Sequence, residues 1–114
     1  MFLILLDEPG LFVYEDPSDA AAAIESIDIE ESLRAAFDDR GVPYRVDWPQ
    51  GPPRRAPRIL GLQAVTNVEY GFVPAGPVDT QALILLLDQH SKCVVPKDAL
   101  DRVQSLRSRL HVDP

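Results

Sequence analysis

Residues 34–48, RAAFDDRGVPYRVDW, hold two alternating runs on either side of one turn signal. A period of two places Leu33, Ala35 and Phe37 on one face of a first arm. It places Val42, Tyr44, Val46 and Trp48 on one face of a second. Between the arms, Asp38, Asp39, Arg40 and Gly41 supply short side chains that bond local backbone and a glycine that accepts positive φ. The stretch predicts a β-hairpin with Phe37, Tyr44 and Trp48 in the core.

The remaining chain arranges itself around that ribbon. Phe2–Leu6 is apolar throughout, as suits a central strand covered on both faces, and the cluster Asp7-Glu8-Pro9-Gly10 turns it into a second run at 11–14. Asp16 offers an N-cap, Pro17 a first helical residue and Asp19 a negative charge in the first turn. They predict a helix from Pro17 to about Ile27, with Ile24 and Ile27 as its apolar stripe and 28–32 as an acidic connector. Four prolines within residues 49–57 make that segment a loop. Two more strands, 59–65 and 68–73, follow around Thr66-Asn67, with Gly61 and Gly71 as bulges.

Asp79 or Thr80 caps a segment in which Ala82, Leu83, Ile84, Leu85, Leu86 and Leu87 are all apolar. A buried strand competes for it, but the leucines favour a helix buried on most sides. Val95 before Pro96 is expected to be extended. Pro96 opens a last helix with Leu100, Val103, Leu106 and Leu110 on one side and Arg102, Arg107 and Arg109 elsewhere. The pattern is that of an α+β domain spanning 1–114, with about six mainly antiparallel strands and about three helices packed on the sheet.

Composition narrows the setting. A chain of 114 residues buries about two-thirds of its unfolded surface, enough for a core without staples. The single Cys93 cannot make an internal disulfide, which points to the cytoplasm. The opening apolar run is shorter than the about 7 to 15 residues of an export signal or the about 20 of a spanning helix, so no membrane segment is expected. Net charge is −7, with 12 acids and three arginines in residues 1–50 against six acids and eight bases in 51–114. Such a field repels phosphate backbones and argues against nucleic acid, whereas a basic protein partner suits it.

Candidate chemistry is sparse. His90 and Cys93 stand three apart, but a zinc site needs about four ligands and the only other histidine is His111. A buried thiol beside a surface histidine accounts for them. The adjacent carboxylates Asp38/Asp39 and Glu30/Glu31 diverge on a strand and bond backbone in a turn, so they do not form an acid/base pair. Pro52-Pro53-Arg54-Arg55-Ala56-Pro57 is similar to a polyproline ligand; a solvated hairpin loop is the plainer reading. No glycine lies in a phosphate-binding or nucleophile-elbow pattern, so neither a cofactor nor a metal is called for.

Through Tyr14, the Asp-Asp-Arg-Gly turn and the PYRVDW segment, the first half of the chain resembles small acidic bacterial immunity proteins of polymorphic toxin systems. The resemblance implies a non-enzymatic inhibitor whose acidic surface serves a basic toxin domain. On that reading Asp28, Glu30, Glu31, Asp38 and Asp39, set on a connector and a turn, are the exposed partner-binding residues. Two other classes stay open. One is a structural or regulatory subunit that forms a homo-oligomer; the other is a small hydrolase or isomerase with a dispersed site. A flat acidic face favours the first, an apolar patch the second and a deep pocket with converging polar groups the third.

Overall fold

The computed structural model describes residues 1–7, 10–55, 59–61 and 67–112. Strands β1 (Phe2–Leu6) and β2 (Gly10–Tyr14) form the expected opening hairpin, antiparallel with Phe2 opposite Tyr14. Strand β3 (Leu33–Asp38) lies antiparallel on the other side of β1, so the wholly apolar strand is central and buried along its length. Strands β4 (Tyr44–Asp47) and β5 (Gly71–Pro74) pair with each other, and β6 (Val94–Val95) adds parallel to β2. The order is β3-β1-β2-β6 in one sheet and β4-β5 in a second. Helices α1 (Pro17–Ala23), α2 (Ser26–Ser32), α3 (Thr80–His90) and α4 (Leu100–Val112) complete an α+β fold.

The sheet's period of two divides the apolar residues between two cores. Leu3, Leu5, Leu11, Val13 and Phe37 face α3 and α4, where Leu83, Leu87 and Val103 are wholly buried. Phe2, Ile4, Leu6 and Ala36 face the opposite layer, built from Ala20 of α1, Ile29 of α2, and Tyr70 and Phe72. Each fully buried Leu, Ile or Phe contributes about 1.5–3 kcal/mol. In β3 the alternation slips by one residue, because Leu6 pairs with Leu33 while Leu5 pairs with Ala35. Arg34 is the extra residue, points outward and pairs with Asp7 at 2.7 Å, while Leu33 turns to the second core.

The hairpin expected over 34–48 is corrected. Its turn exists: Asp38 and Gly41 bond across it, and Phe37 bridges Pro43. Beyond that rung the arms part, one joining β1 and the other β5. They also serve different cores, Phe37 the α3/α4 side and Tyr44, Val46 and Trp48 the aromatic side. Phe37 is buried, whereas Tyr44 and Trp48 are half-buried. The cause is competition: β1 gives β3 five backbone pairings with a deeper apolar face than Tyr44–Asp47 presents.

Two other expectations shift. The helix from Pro17 stops at Ala23 and a new one begins at Ser26, so the acidic connector 28–32 is helical. Ile24 leaves helical geometry because its carbonyl accepts the Tyr70 hydroxyl at 2.6 Å, and Ser26, fully buried, bonds Asn67 and the Val68 amide. Residues 62–65 of the strand placed at 59–65 lie outside the described residues. Ile59 and Leu60 are exposed, and Leu60 and Gly61 have φ of 52° and 78°, a turn rather than a strand. The run 68–73 becomes a strand only from Gly71, which pairs in register and is no bulge. Helix α3 is capped by Asp79 as expected, yet Leu85 is 57% exposed, so one side is open. Helix α4 follows Pro96 after a single 3₁₀ turn, Lys97–Ala99.

Candidate functional site

Four of the five partner-binding candidates are engaged within the chain, and the five fall into two groups. Asp28, Glu30 and Glu31 lie on α2, before β3; Asp38 ends β3 and Asp39 follows it. A six-residue strand separates the groups by roughly 20 Å.

Asp38 is corrected from an exposed acid to a buried one, 8% exposed. Its Oδ1 accepts the amides of Arg40 at 2.9 Å and Val42 at 3.1 Å, and its Oδ2 accepts Arg40 Nη2 at 3.2 Å and the Tyr44 hydroxyl at 3.3 Å. Burial pushes its carboxyl up, but the bonds from Val42 and Arg40 outweigh that and hold it below the ordinary range. Gly41 completes the turn at φ 91°, where an added Cβ would crowd the Thr80 backbone at 3.4 Å. Asp39 is half-buried, lies 3.4 Å from the Met1 nitrogen, and its carbonyl accepts Arg109.

Glu30 and Glu31 are both held by Arg55, at 2.8 and 2.6 Å. The basic loop therefore folds back onto the acidic helix, with Pro53 buried. Pro52 and Arg54 are exposed, as a solvated loop predicts, Arg55 is committed within the chain, and residues 56–58 lie outside the described residues. Arg102 likewise holds Glu15 at 2.8 Å. Two of the eight bases of 51–114 thus answer three of the twelve acids of 1–50, though each exposed pair is individually weak. Asp28 alone of the five is exposed and without an ion pair among the described residues.

His90 ends α3, and Cys93 closes the 3₁₀ turn Ser91–Cys93; the thiol is exposed, not buried as expected. Among the described residues no three His, Cys, Asp or Glu side chains are placed to hold a metal.

Grooves mark several parts of the surface: two, of about 400 and 410 Å³, flank α4 and carry Arg102, with Asp39 in the first and Glu15 in the second, and three others lie around α1. A wide-mouthed groove of about 640 Å³ runs between α1 and β5, with Asp16 and Ala21 on one side and Glu69, Gly71 and Phe72 on the other. A second of about 380 Å³ continues past Glu25 and Asn67, and a third of about 450 Å³ lies over Phe12 and Tyr14 beside Glu25 and Asp28. Their linings carry the four carboxylates of Asp16, Glu25, Asp28 and Glu69 and no lysine or arginine among the described residues. Tyr70 and Phe72, 5.7 Å apart, line the main groove, and behind them Trp48 lies 5.4 Å from Tyr70 and Phe2 5.2 Å from Phe72.

The polar groups of the main groove are structural. Asp16 Oδ1 accepts the Asp19 amide at 2.9 Å and the Ser18 hydroxyl at 2.7 Å, and the Ser18 bond foremost holds its carboxyl below the usual range. Burial pushes the Tyr70 phenol up to about 12, and its hydroxyl donates a hydrogen bond to the Ile24 carbonyl. The groove offers an apolar floor with carboxylates on its rim. Sequence reasoning did not single out Glu69 and Asp16 as groove-lining acids: the first sat inside an expected strand and the second was accounted for as a cap. Alternation at Val68, Tyr70 and Phe72 was the signal that the segment faces a core.

No protein-family model, curated protein or solved structure matches the chain. Among the described residues, no helix is long and apolar enough to cross a membrane.

Proposed function

We propose that this chain is a non-enzymatic protein-binding module for a basic partner. Its concrete form would be a cytoplasmic bacterial immunity protein that neutralises a toxin domain. The observation behind this reading is the all-acidic rim of the grooves around α1, set over an aromatic floor. Exposed carboxylates steer a cationic partner into encounter, while half-buried aromatics such as Tyr14 and Phe12 supply the anchoring area. This moves the partner face: Asp28 stays in it, Glu25 and Glu69 join it, and Asp38 leaves it.

The test begins with recovery of the bound protein from the native cell, followed by association kinetics against salt. Changing Glu25, Asp28 and Glu69 to Lys should slow association about tenfold or more at low salt and flatten its salt dependence. Parental rates in a folded triple mutant would end this reading. A homo-oligomer is the second reading, resting on Leu85, which α3 leaves 57% exposed; a monomer in sedimentation at high concentration excludes it.

A further inference from the structure

We propose that the groove over Phe12 and Tyr14 is an anchor site for one arginine side chain of the basic partner. This rests on the binding-module reading and singles out one of its three grooves as the place where the partner is held.

Strand alternation sets the floor. Gly10, Phe12 and Tyr14 share one face of β2, and Leu6, which pairs with Gly10, lies on the same face of β1. Gly10 has no side chain there, and the Phe12 ring leans back into the space: a Cβ on Gly10 would stand 2.6 Å from its Cε2 and 3.1 Å from its Cζ. Laid along the strand in this way, Phe12 stays half-buried, as does Tyr14. The groove they floor has about 450 Å³, in the lower part of the range of about 300–1,000 Å³ for ligand pockets.

The wall comes from the break between α1 and α2, where Ala23, Ile24, Glu25 and Asp28 line the groove. The break is held in place, because the Tyr70 hydroxyl donates to the Ile24 carbonyl at 2.6 Å and the Ser26 hydroxyl to Asn67 Oδ1 at 2.6 Å. A wall fixed beforehand costs little ordering when a ligand arrives.

Charge and shape together select the occupant. Glu25 and Asp28 stand three apart on one side of α2, and both are exposed. Glu25 occupies the N-cap position, yet its side chain accepts no amide there. Among the described residues no lysine or arginine lines the groove, and Arg34, two positions past Ser32, is paired with Asp7 at 2.7 Å. The occupant must lie on aromatic rings and end in a cation beside two carboxylates. Arginine meets both demands: its methylene stem and planar guanidinium pack on aromatic faces, and its forked N–H donors match carboxylates in a way a lysine ammonium does not.

The probe is acetyl-Gly-Arg-Gly-amide, titrated into the ¹⁵N-labelled chain beside the same peptide with lysine or citrulline in place of arginine. Saturable amide shifts should centre on residues 12–14 and 23–28. The lysine peptide should bind several-fold more weakly, and the neutral citrulline peptide should not bind. Changing Glu25→Gln and Asp28→Asn together should weaken the arginine peptide about tenfold or more. Gly10→Ala, which pushes the Phe12 ring out of its place, and Phe12→Leu, which keeps an apolar contact without a ring, should each weaken it while the amides of α3 and α4 stay parental. Shifts that never saturate, equal binding of the lysine or citrulline peptide, or undiminished binding by the folded Gly10→Ala and Phe12→Leu variants would each overturn the proposal. If the cellular partner depends on Glu25, Asp28 and Glu69 while the arginine peptide does not bind, the anchor site fails and the binding module survives. If the peptide binds while the partner is indifferent to those acids, the anchor site stands and the binding-module reading falls.

Discussion

The two faces of the four-stranded sheet are closed by different means. One is sealed by α3 and α4 with aliphatic side chains, Leu83, Leu86, Leu87, Val103, Leu106 and Leu110, against Leu3, Leu5, Leu11, Val13 and the single aromatic Phe37. The other is covered by two seven-residue helices and the β4–β5 ribbon, with aromatic rings joined by hydrogen bonds from Tyr70 and Ser26. The grooves that flank the long helix α4 are lined in part by Arg102 and Arg109. Short helices and a two-stranded ribbon leave grooves between them, and those grooves carry the acidic rim. The helical face serves as the scaffold, and the aromatic face is the side proposed above to meet a partner.

Truncating one central residue per face should have the largest effect. Leu83→Ala and Phe2→Ala each leave a cavity beside a wholly buried site, 0% and 1% exposed, and should cost about 2–5 and 3–5 kcal/mol in urea unfolding. A loss below about 1 kcal/mol for Phe2→Ala would remove the aromatic core from the account.

The turn joining the two faces is next. Asp38→Asn should cost about 1–3 kcal/mol, because donors from Arg40, Val42 and Tyr44 lose an ionised acceptor. Its folded pKa is depressed below the ordinary 3.8, so its stabilisation is complete above that value and drains as pH falls through the lower, folded pKa. The acid limb of a stability–pH profile should weaken in Asp38→Asn.

Tyr70 gives the aromatic face a pH signature that the aliphatic face lacks. Its pKa rises from 10.0 to about 12, so the neutral phenol favours the folded state. Its contribution is complete below pH 10.0 and lost as pH rises toward 12. Tyr70→Phe should cost about 1 kcal/mol at neutral pH and abolish that alkaline loss, read by phenolate absorbance alongside circular dichroism. The smallest effect is Arg55→Ala. Its contacts with Glu30 and Glu31 lie at the surface, so any destabilisation should be small and vanish at high salt.

The opening hairpin, the caps at Asp16 and Asp79, and the helix carrying Leu83 to Leu87 were legible because each is local: turn residues, a cap and a period within one segment. The partnership of β1 with β3 was not, since the alternation of 33–37 states which side chains share a face but not which strand lies alongside. Nor was the parallel addition of Val94–Val95, two residues too short to leave a pattern. For the site, exposure of acids was inferred from a connector that proved helical and a turn whose first aspartate is its own hydrogen-bond hub. Arg55 reaching Glu30 and Glu31 across more than twenty positions leaves no signal in charge counts. Asp28 is the candidate whose expected exposure the structure shares.

The central claim, that the aromatic, acid-rimmed face is where a basic partner lands, is tested most directly by one association-rate series. The partner recovered from the native cell is mixed with the parent and with the Glu25, Asp28 and Glu69 to Lys variant across a range of ionic strength. The account predicts a parental rate that falls with salt and a variant about tenfold or more slower at low salt, the two converging when charges are screened. Identical curves from a folded variant would contradict it.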